Sequence, residues 1–153
     1  MQEKEELLED YIETIQENKN HFNQQLFDII TTNDKYNGTI WIKWNKQQEL
    51  KFYTSSQSLK VEKIIAPWKW KEIMFLLLFK AIEENLKISL KAEPLRLLNW
   101  LNQQEAYSKL INFYWYFLFK LLDNFWNMEF NINKISKNDL KILINRLKNF
   151  LKL

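Results

Sequence analysis

The sequence predicts a single α+β domain, 1–153, that is predominantly helical: a helical N-terminus, a small antiparallel β-meander, and then a bundle of about four helices. Two changes in hydrophobic period predict this order. Apolar residues recur every three or four positions over 1–32 and 67–153, as in helices, whereas they alternate with other residues over 36–65, as in strands. The 153 residues are also enough to bury a core without disulfides or a structural metal.

The acidic segment 1–32 is predicted to form one long helix or two shorter ones. Tyr11, Ile12 and Ile15 have the spacing of one helical face. Seven carboxylates lie within residues 3–17, where they suit the positive end of the helix dipole. This run of charge therefore has a structural explanation that needs no ligand.

The segment 36–65 is predicted to form a β-hairpin, to which a third strand adds to complete the meander. Turn-forming residues fill 33–38, and a polar turn over 45–48 separates the first two strands. The alternating residues are Ile40, Ile42 and Trp44 against Trp41 and Lys43 in the first strand, Leu50 and Phe52 against Lys51 and Tyr53 in the second, and Leu59, Val61, Lys63 and Ile65 in the third.

The region 67–153 is predicted to be helical, aromatic-rich and basic. Pro67 suits a helix start, and the helix that follows is apolar on every face over 73–79, so we expect it to be central. Residues 86–90 form either a short strand or a frayed helix end, and Pro94 begins a further helix.

The most hydrophobic helix is predicted over 106–126. A short strand or extended link over 128–132 then leads to the last helix. That helix begins after Ser136, which with Asp139 forms a variant of the capping box.

The composition excludes several kinds of chemistry. The chain has no Cys and one His, so it lacks Cys nucleophiles, thiolate metal sites and His-rich metal sites. Its one glycine, Gly38, cannot build a glycine-rich phosphate loop. Lysine outnumbers arginine 20 to 2, a bias typical of an AT-rich genome. We therefore expect no metal, no cofactor and no enzymatic activity.

No targeting or membrane-spanning segment is predicted. The acidic start lacks the basic and apolar parts of a secretory signal. The longest apolar runs, 73–79 and 113–119, are much shorter than the roughly 20 residues that cross a bilayer. We expect the protein to be cytoplasmic, or otherwise to stay in the compartment where it is made.

Charge is unevenly distributed along the chain. Residues 1–59 hold 6 basic and 10 acidic side chains, and residues 60–153 hold 16 and 9. One interpretation is that an acidic first helix packs near a basic last helix. The other is a basic surface for nucleic acid or another anionic partner, which on the last helix would comprise Lys137, Lys141 and Lys148.

Lysines also interleave with tryptophans. Trp41, Trp44, Trp68 and Trp70 alternate with Lys43, Lys46, Lys69 and Lys71. If the rings are exposed, bases can stack on them while ammonium groups meet phosphates. The alternative is that these rings are core residues. Trp41 is the ring expected outside, because it shares a strand face with Lys43.

The helix over 106–126 carries both a predicted core stripe and a predicted flank. Helical geometry assigns to the core Leu110, Phe113, Phe117, Leu121 and Phe125. The flank, a candidate protein interface, comprises Tyr107, Tyr114 and Trp115.

These features favour a non-enzymatic binding or assembly protein that acts through aromatic and charged surfaces, with another protein or a second copy as partner. The alternative is a nucleic-acid-binding accessory protein that binds DNA or RNA. A third hypothesis is a Mg²⁺-dependent nuclease, in which Asp34 and Glu49 would hold the metal and Lys51 would steady the phosphate. That motif is short, and chance matches to it are common.

Overall fold

A computed structural model describes residues 2–31, 38–45, 48–65, 70–92 and 103–153 of the chain. It has the α+β fold that the sequence predicts. The helices are α1 (Gln2–Glu17), α2 (Gln24–Ile30), α3 (Trp70–Glu84), α4 (Gln103–Trp115) and α5 (Lys137–Leu151), with 3-10 turns at Lys19–His21 and Ile132–Lys134. The strands are β1 (Gly38–Asn45), β2 (Gln48–Thr54), β3 (Ser58–Ile65), β4 (Lys87–Lys91), β5 (Lys120–Leu121) and β6 (Asn127–Phe130).

The six described strands form one mixed sheet in the order β1-β2-β3-β4-β6-β5. Strands β1 to β3 are the predicted antiparallel meander. The sheet is larger than the sequence predicts, because β4 joins β3 in parallel and the pair β5–β6 extends the far side. The region after the meander is therefore not a pure helical bundle. Ile88 and Leu90 of β4 are buried, so this short strand belongs to the interior of the sheet.

One hydrophobic core lies between the sheet and the helices. Its buried residues come from the sheet and from each of the five described helices, α4 contributing Tyr114. Helix α3 contacts β3 and β4 and also α1 and α2, and residues 73–82 are all buried. The prediction of a central helix over this apolar run is confirmed.

The acidic first helix packs beside the basic last helix. The Lys137 ammonium lies 3.0 Å from the Glu3 carboxylate, and the Lys148 ammonium lies 3.6 Å from Asp10. The hydrogen bond from Lys137, with the charges of Lys137 and Lys141, lowers the pKa of Glu3. The two pairs occur in the same order along both helices, so α1 and α5 run in the same direction.

The predicted helix over 106–126 is wrong beyond Trp115, where α4 ends. Leu118 has φ 68°, and its N–H donates to the Trp115 carbonyl at 2.9 Å. The Phe119 N–H donates to the Tyr114 carbonyl at 3.2 Å. These two bonds form a Schellman motif, which reverses the chain after the helix.

Core packing explains this helix end better than local sequence does. The reversal lets Phe117 pack against Phe75, with ring centroids 5.0 Å apart, and Phe119 against Phe130 at 5.9 Å. Of the predicted core stripe, Phe117 is buried, and Leu110 and Phe113 pack partly against the core. Leu121 and Phe125 are exposed, which corrects their assignment to the core. They lie beyond the helix and therefore do not share its face.

Two other helices end in the same way without glycine. Asn85 follows α3 with φ 55°, and Lys152 follows α5 with φ 61°. The Leu86 N–H donates to the Ala81 carbonyl at 2.8 Å, as the motif requires. The start of α5 is as predicted, because the Ser136 side chain accepts a hydrogen bond from the Asp139 N–H.

Some predictions concern residues outside the described part. They include the helix beginning at Pro94, and also Asp34, Lys46, Trp68 and Lys69. Within the described ranges, no helix has the length and apolar character that a membrane span requires.

Candidate binding surface on the open face of the sheet

The helices pack on one face of the sheet, and the opposite face, which we name the open face, is polar and basic. Alternation along each strand sends the apolar side chains to the core and the charged ones to the open face. Among the described residues, the lysines that the strand register places on this face are Lys43, Lys51, Lys60, Lys63, Lys87, Lys91 and Lys120, and the glutamates are Glu49, Glu62 and Glu129. The face therefore has more positive than negative charge.

Two aromatic rings lie among these charges. Trp41 of β1 is 55% exposed and Tyr53 of β2 is 42% exposed. Trp41 is opposite Lys51 in the register, and Thr39 is opposite Tyr53, so the two rings are diagonal neighbours on adjacent strands. Both rings are accessible on the same side of the sheet.

The Trp41 ring is held in place by its neighbours. Its indole N–H donates a hydrogen bond to the carboxylate of Glu49. The ammonium groups of Lys43 and Lys51 lie 4.7 and 5.0 Å from its ring centroid, within the range of a cation–π interaction. The ring is thus held in one orientation by groups of the protein itself.

Glu49 is the buried centre of this arrangement. Its side chain is 7% exposed, and its second carboxylate oxygen lies 3.4 Å from the Lys63 ammonium. A buried carboxylate needs compensating partners, and here the indole N–H and the ammonium group supply them. Both oxygens of Glu49 are therefore occupied by groups of the protein itself.

An irregularity in β3 adds charge to the same area. The register between β2 and β3 shifts after Lys51, where Glu62 and Lys63 together face this one residue. The Glu62 carboxylate lies 3.5 Å from the Lys51 ammonium. Since both side chains are partly exposed, this ion pair contributes little to stability.

No protein-family model matches the chain, and no curated protein matches it. A solved structure is similar to it. The crystal structure of the anti-CRISPR protein AcrVA5 aligns with a TM-score of 0.44 and 17% sequence identity, over 61% of this chain and 99% of that one.

The predicted Lys/Trp set does not form one surface. Trp41 and Lys43 lie together on the open face, as the strand alternation predicts. Lys71 lies instead on α3, with its ammonium 4.9 Å from the Tyr116 ring centroid. Trp70 also packs among the helices, stacked on Phe113 at 4.3 Å. Lys46 and Lys69 lie outside the described residues, and the side chain of Trp44 is not described.

The three lysines predicted on the last helix face the acidic first helix. Lys137 and Lys148 make the ion pairs with α1 given above, and Lys141 lies close enough to Glu3 to influence its pKa. The packing interpretation of the charge asymmetry therefore accounts for these residues.

The predicted aromatic interface is also divided. Trp115 is 59% exposed, and its role as a contact residue stays a prediction. Tyr107 is partly buried and stacks on Trp126 at 4.6 Å. Tyr114 is buried against Phe119 and Trp70, which corrects its placement on the surface. Tyr114 is buried because α4 packs on the core along the side that carries it.

The turn between β5 and β6 displays apolar side chains that sequence reasoning assigned to a helix. Leu122 is exposed, and Phe125 is 72% exposed. Asp123 orders this turn: its carboxylate accepts hydrogen bonds from the Phe125 N–H at 2.8 Å and from the Asn127 side chain at 2.8 Å. These bonds lower the pKa of Asp123.

The residues of the nuclease hypothesis do not form a metal site within the part of the chain that the structure describes. Glu49 is engaged by Trp41 and Lys63, Lys51 lies over the Trp41 ring, and Asp34 is outside the described ranges. Among the residues that the structure describes, no three His, Cys, Asp or Glu side chains are grouped so that they could hold a metal ion.

Sequence reasoning missed most of the open face. The omitted residues are Lys51 as a binding residue, Tyr53, Lys60, Lys63, Lys87, Lys91 and Lys120. The alternation of Lys51 and Tyr53 with the buried Leu50 and Phe52 carried a signal for two of them. The others required the strand order, which brings β3, β4 and β5 into the same sheet.

Proposed function

We propose that this protein is a non-enzymatic binding protein and that the open face is its surface for an anionic partner. The proposal is carried by one observation: the lysines of this face outnumber its glutamates around the exposed and oriented ring of Trp41. A surface with a positive excess attracts an anionic partner from a distance, and an exposed ring adds contact area at short range.

The charge pattern of the face supports this proposal. Lys43 and Lys60 are exposed, whereas Glu49 and Glu129 are largely buried beneath their neighbours. A partner that approaches the face therefore meets the ammonium groups of Lys43 and Lys60 and also the accessible carboxylate of Glu62, which is paired with Lys51. Because such contacts are screened by salt, binding should weaken steeply as ionic strength rises.

The test is the salt dependence of binding to a polyanion, with heparin as the probe. We expect the double variant Lys43→Gln/Lys60→Gln to bind more weakly and with a shallower salt slope than the wild type. Lys19→Gln/Lys134→Gln removes the same charge from exposed positions off the sheet and serves as the matched control. Wild-type heparin binding that is absent, or that both double variants weaken equally, would contradict the proposal.

A second candidate function is assembly of copies of this chain through the turn between β5 and β6. The observation that favours it is the exposure of Phe125 and Leu122 on a turn ordered by Asp123. Exposed apolar side chains on an ordered segment are typical of protein contact sites. The strand β5 beside this turn is also an edge of the sheet.

Sedimentation velocity over a range of protein concentrations tests this candidate. We expect the wild type to associate and Leu122→Ser/Phe125→Ser to remain monomeric with an unchanged melting temperature. Ile142→Ser removes an exposed apolar side chain from α5 and is the control. A wild type that stays monomeric at high concentration would rule out self-assembly through this turn.

A further inference from the structure

We infer that the anionic partner of the open face is a single-stranded nucleic acid whose bases stack on Trp41 and Tyr53. The inference rests on the proposed function above and makes it specific. It combines the two exposed rings, their diagonal placement on adjacent strands and the lysines around them.

The geometry of the two rings suits stacking of unpaired bases. Diagonal neighbours on adjacent antiparallel strands are about 7–8 Å apart, so two rings can receive two bases of one strand. Every base has a π-face, and sheets with exposed rings bind single strands through such stacking. Tyr53 is as necessary to this arrangement as Trp41, because a single ring would hold a single base.

The lysines beside Trp41 can exchange their present contacts for phosphates. Lys43 and Lys51 now lie over the indole ring, at 4.7 and 5.0 Å from its centroid. An exposed cation–π contact is weaker than the stacking of a base on the same ring. An arriving base therefore displaces the ammonium groups, which remain close enough to contact the adjoining backbone.

Glu49 holds the Trp41 ring in place during this exchange. The indole N–H lies in the plane of the ring, so its acceptor Glu49 sits at the ring edge and not over a face, and the other carboxylate oxygen is paired with Lys63. The carboxylate is therefore able to hold the indole while Lys43, which is exposed, and Lys51, which is partly exposed, move. A ring that is fixed before binding loses less conformational entropy when the partner arrives.

The other anionic macromolecules fit this face less well. Recognition of duplex DNA in the major groove needs a protruding helix or ribbon, and the open face is the surface of a sheet. Arg146, the arginine that the structure describes, lies in α5, where its guanidinium packs over the Tyr116 ring at 4.5 Å. An acidic protein would use the lysines, but it carries no regular series of planar rings to stack on both Trp41 and Tyr53, as a single strand does.

The deciding experiment compares probes and ring variants. The probes are fluorescent oligo-dT of about 12 nucleotides, the same length of DNA duplex, and a poly-glutamate peptide. The variants are Trp41→Leu and Tyr53→Leu, which keep every charge of the face, with Trp115→Leu as the control for an exposed ring elsewhere. Melting curves establish that each variant is folded.

We expect the wild type to bind oligo-dT more tightly than duplex or poly-glutamate. Each ring variant should raise the Kd for oligo-dT by about 5- to 150-fold, while Trp115→Leu leaves it unchanged. Binding of heparin should be little affected by the ring variants, because it depends on charge.

Three outcomes would overturn the inference and leave the proposed function standing. They are oligo-dT binding that the ring variants do not change, duplex binding as tight as single-strand binding, and a preference for poly-glutamate. If the wild type does not bind heparin, the proposed function itself fails, and the inference fails with it.

Discussion

The hydroxyl group of Tyr11 in α1 donates a hydrogen bond of 2.6 Å to the main-chain carbonyl of Phe75, near the middle of α3. Both side chains are completely buried. The bond joins the first helix to the central helix at a depth where water cannot replace either partner. It therefore fixes how α1 lies on α3, in addition to the apolar contacts around it.

Replacing Tyr11 by Phe should destabilise the protein by about 1 kcal/mol, the usual net contribution of a hydrogen bond. The ring is retained, so no large cavity forms. Urea denaturation monitored by circular dichroism gives the free energy of unfolding. A variant as stable as the wild type would mean that the buried hydroxyl contributes nothing to holding α1.

The same residue should make stability depend on pH in the alkaline range. Burial raises the pKa of Tyr11 well above its ordinary value of 10.0. The unfolded chain therefore loses this proton near pH 10 while the folded protein keeps it. The contribution of Tyr11 to the free energy of unfolding is fully present below that pH and is lost as the pH rises above it. The loss from this group is up to about 1.4 kcal/mol per pH unit.

We expect the free-energy difference between the wild type and Tyr11→Phe to shrink as the pH rises above 10, since the variant has no such proton to lose at this position. Denaturant titrations at several pH values from neutral to alkaline provide the comparison. Parallel curves for the two proteins throughout would contradict the burial of an un-ionised Tyr11.

The packing of α1 on α5 predicts a charge-swap result. Lys148→Glu should destabilise the protein by about 0.2–1 kcal/mol, because it replaces the ion pair with Asp10 by repulsion between two partly exposed groups. The double variant Asp10→Lys/Lys148→Glu should recover most of the loss. Thermal melts at low and high salt test this, and the difference should diminish in high salt.

Helix α4 and the chain reversal that follows it predict a contrast between buried and exposed aromatic residues. Phe117→Ala should cost about 3–5 kcal/mol, because Phe117 is fully buried and its removal opens a cavity. Tyr114→Ala should also cause a large loss, whereas Trp115→Ala should change stability by less than about 0.5 kcal/mol. Equal effects of the Phe117 and Trp115 substitutions would show that the helix is rotated from the position described.

The left-handed residue that ends α5 predicts a stabilising substitution. Lys152 has φ 61°, a conformation that costs a residue with a Cβ about 1–2 kcal/mol and costs glycine little. Lys152→Gly should stabilise the protein by up to about 1 kcal/mol, while Lys152→Ala should not. Melting temperatures of the two variants decide the point; a gain with alanine would mean that the backbone conformation is not the cause.

Much of the fold was predictable because it follows from the local sequence. The alternation of Ile40 and Ile42 with Trp41 and Lys43 predicts a strand with Trp41 outside, and the structure confirms both. The apolar run over 73–79 predicts a central helix, and Ser136 predicts the start of α5. Periodicity and capping depend on residues a few positions apart, so the sequence carries them directly.

Other features depended on residues that are distant in the chain. Nothing within 106–126 marks a helix end at Trp115; Leu118 takes a left-handed conformation there so that Phe117 and Phe119 can both reach the core. The local sequence also did not predict the position of β4 between β3 and β6, because the pairing of strands is a relation between separate segments.

The candidate site shows the same division. The sequence by itself determined that Trp41 and Lys43 share a strand face and that the first helix is acidic and the last basic. Only the tertiary structure decided that Tyr53 and the lysines of β3 to β5 join Trp41 on one open face, and that Lys137 and Lys148 turn toward α1. The physical reason is that a side chain's direction follows from its own backbone, whereas its neighbours follow from which elements pack together.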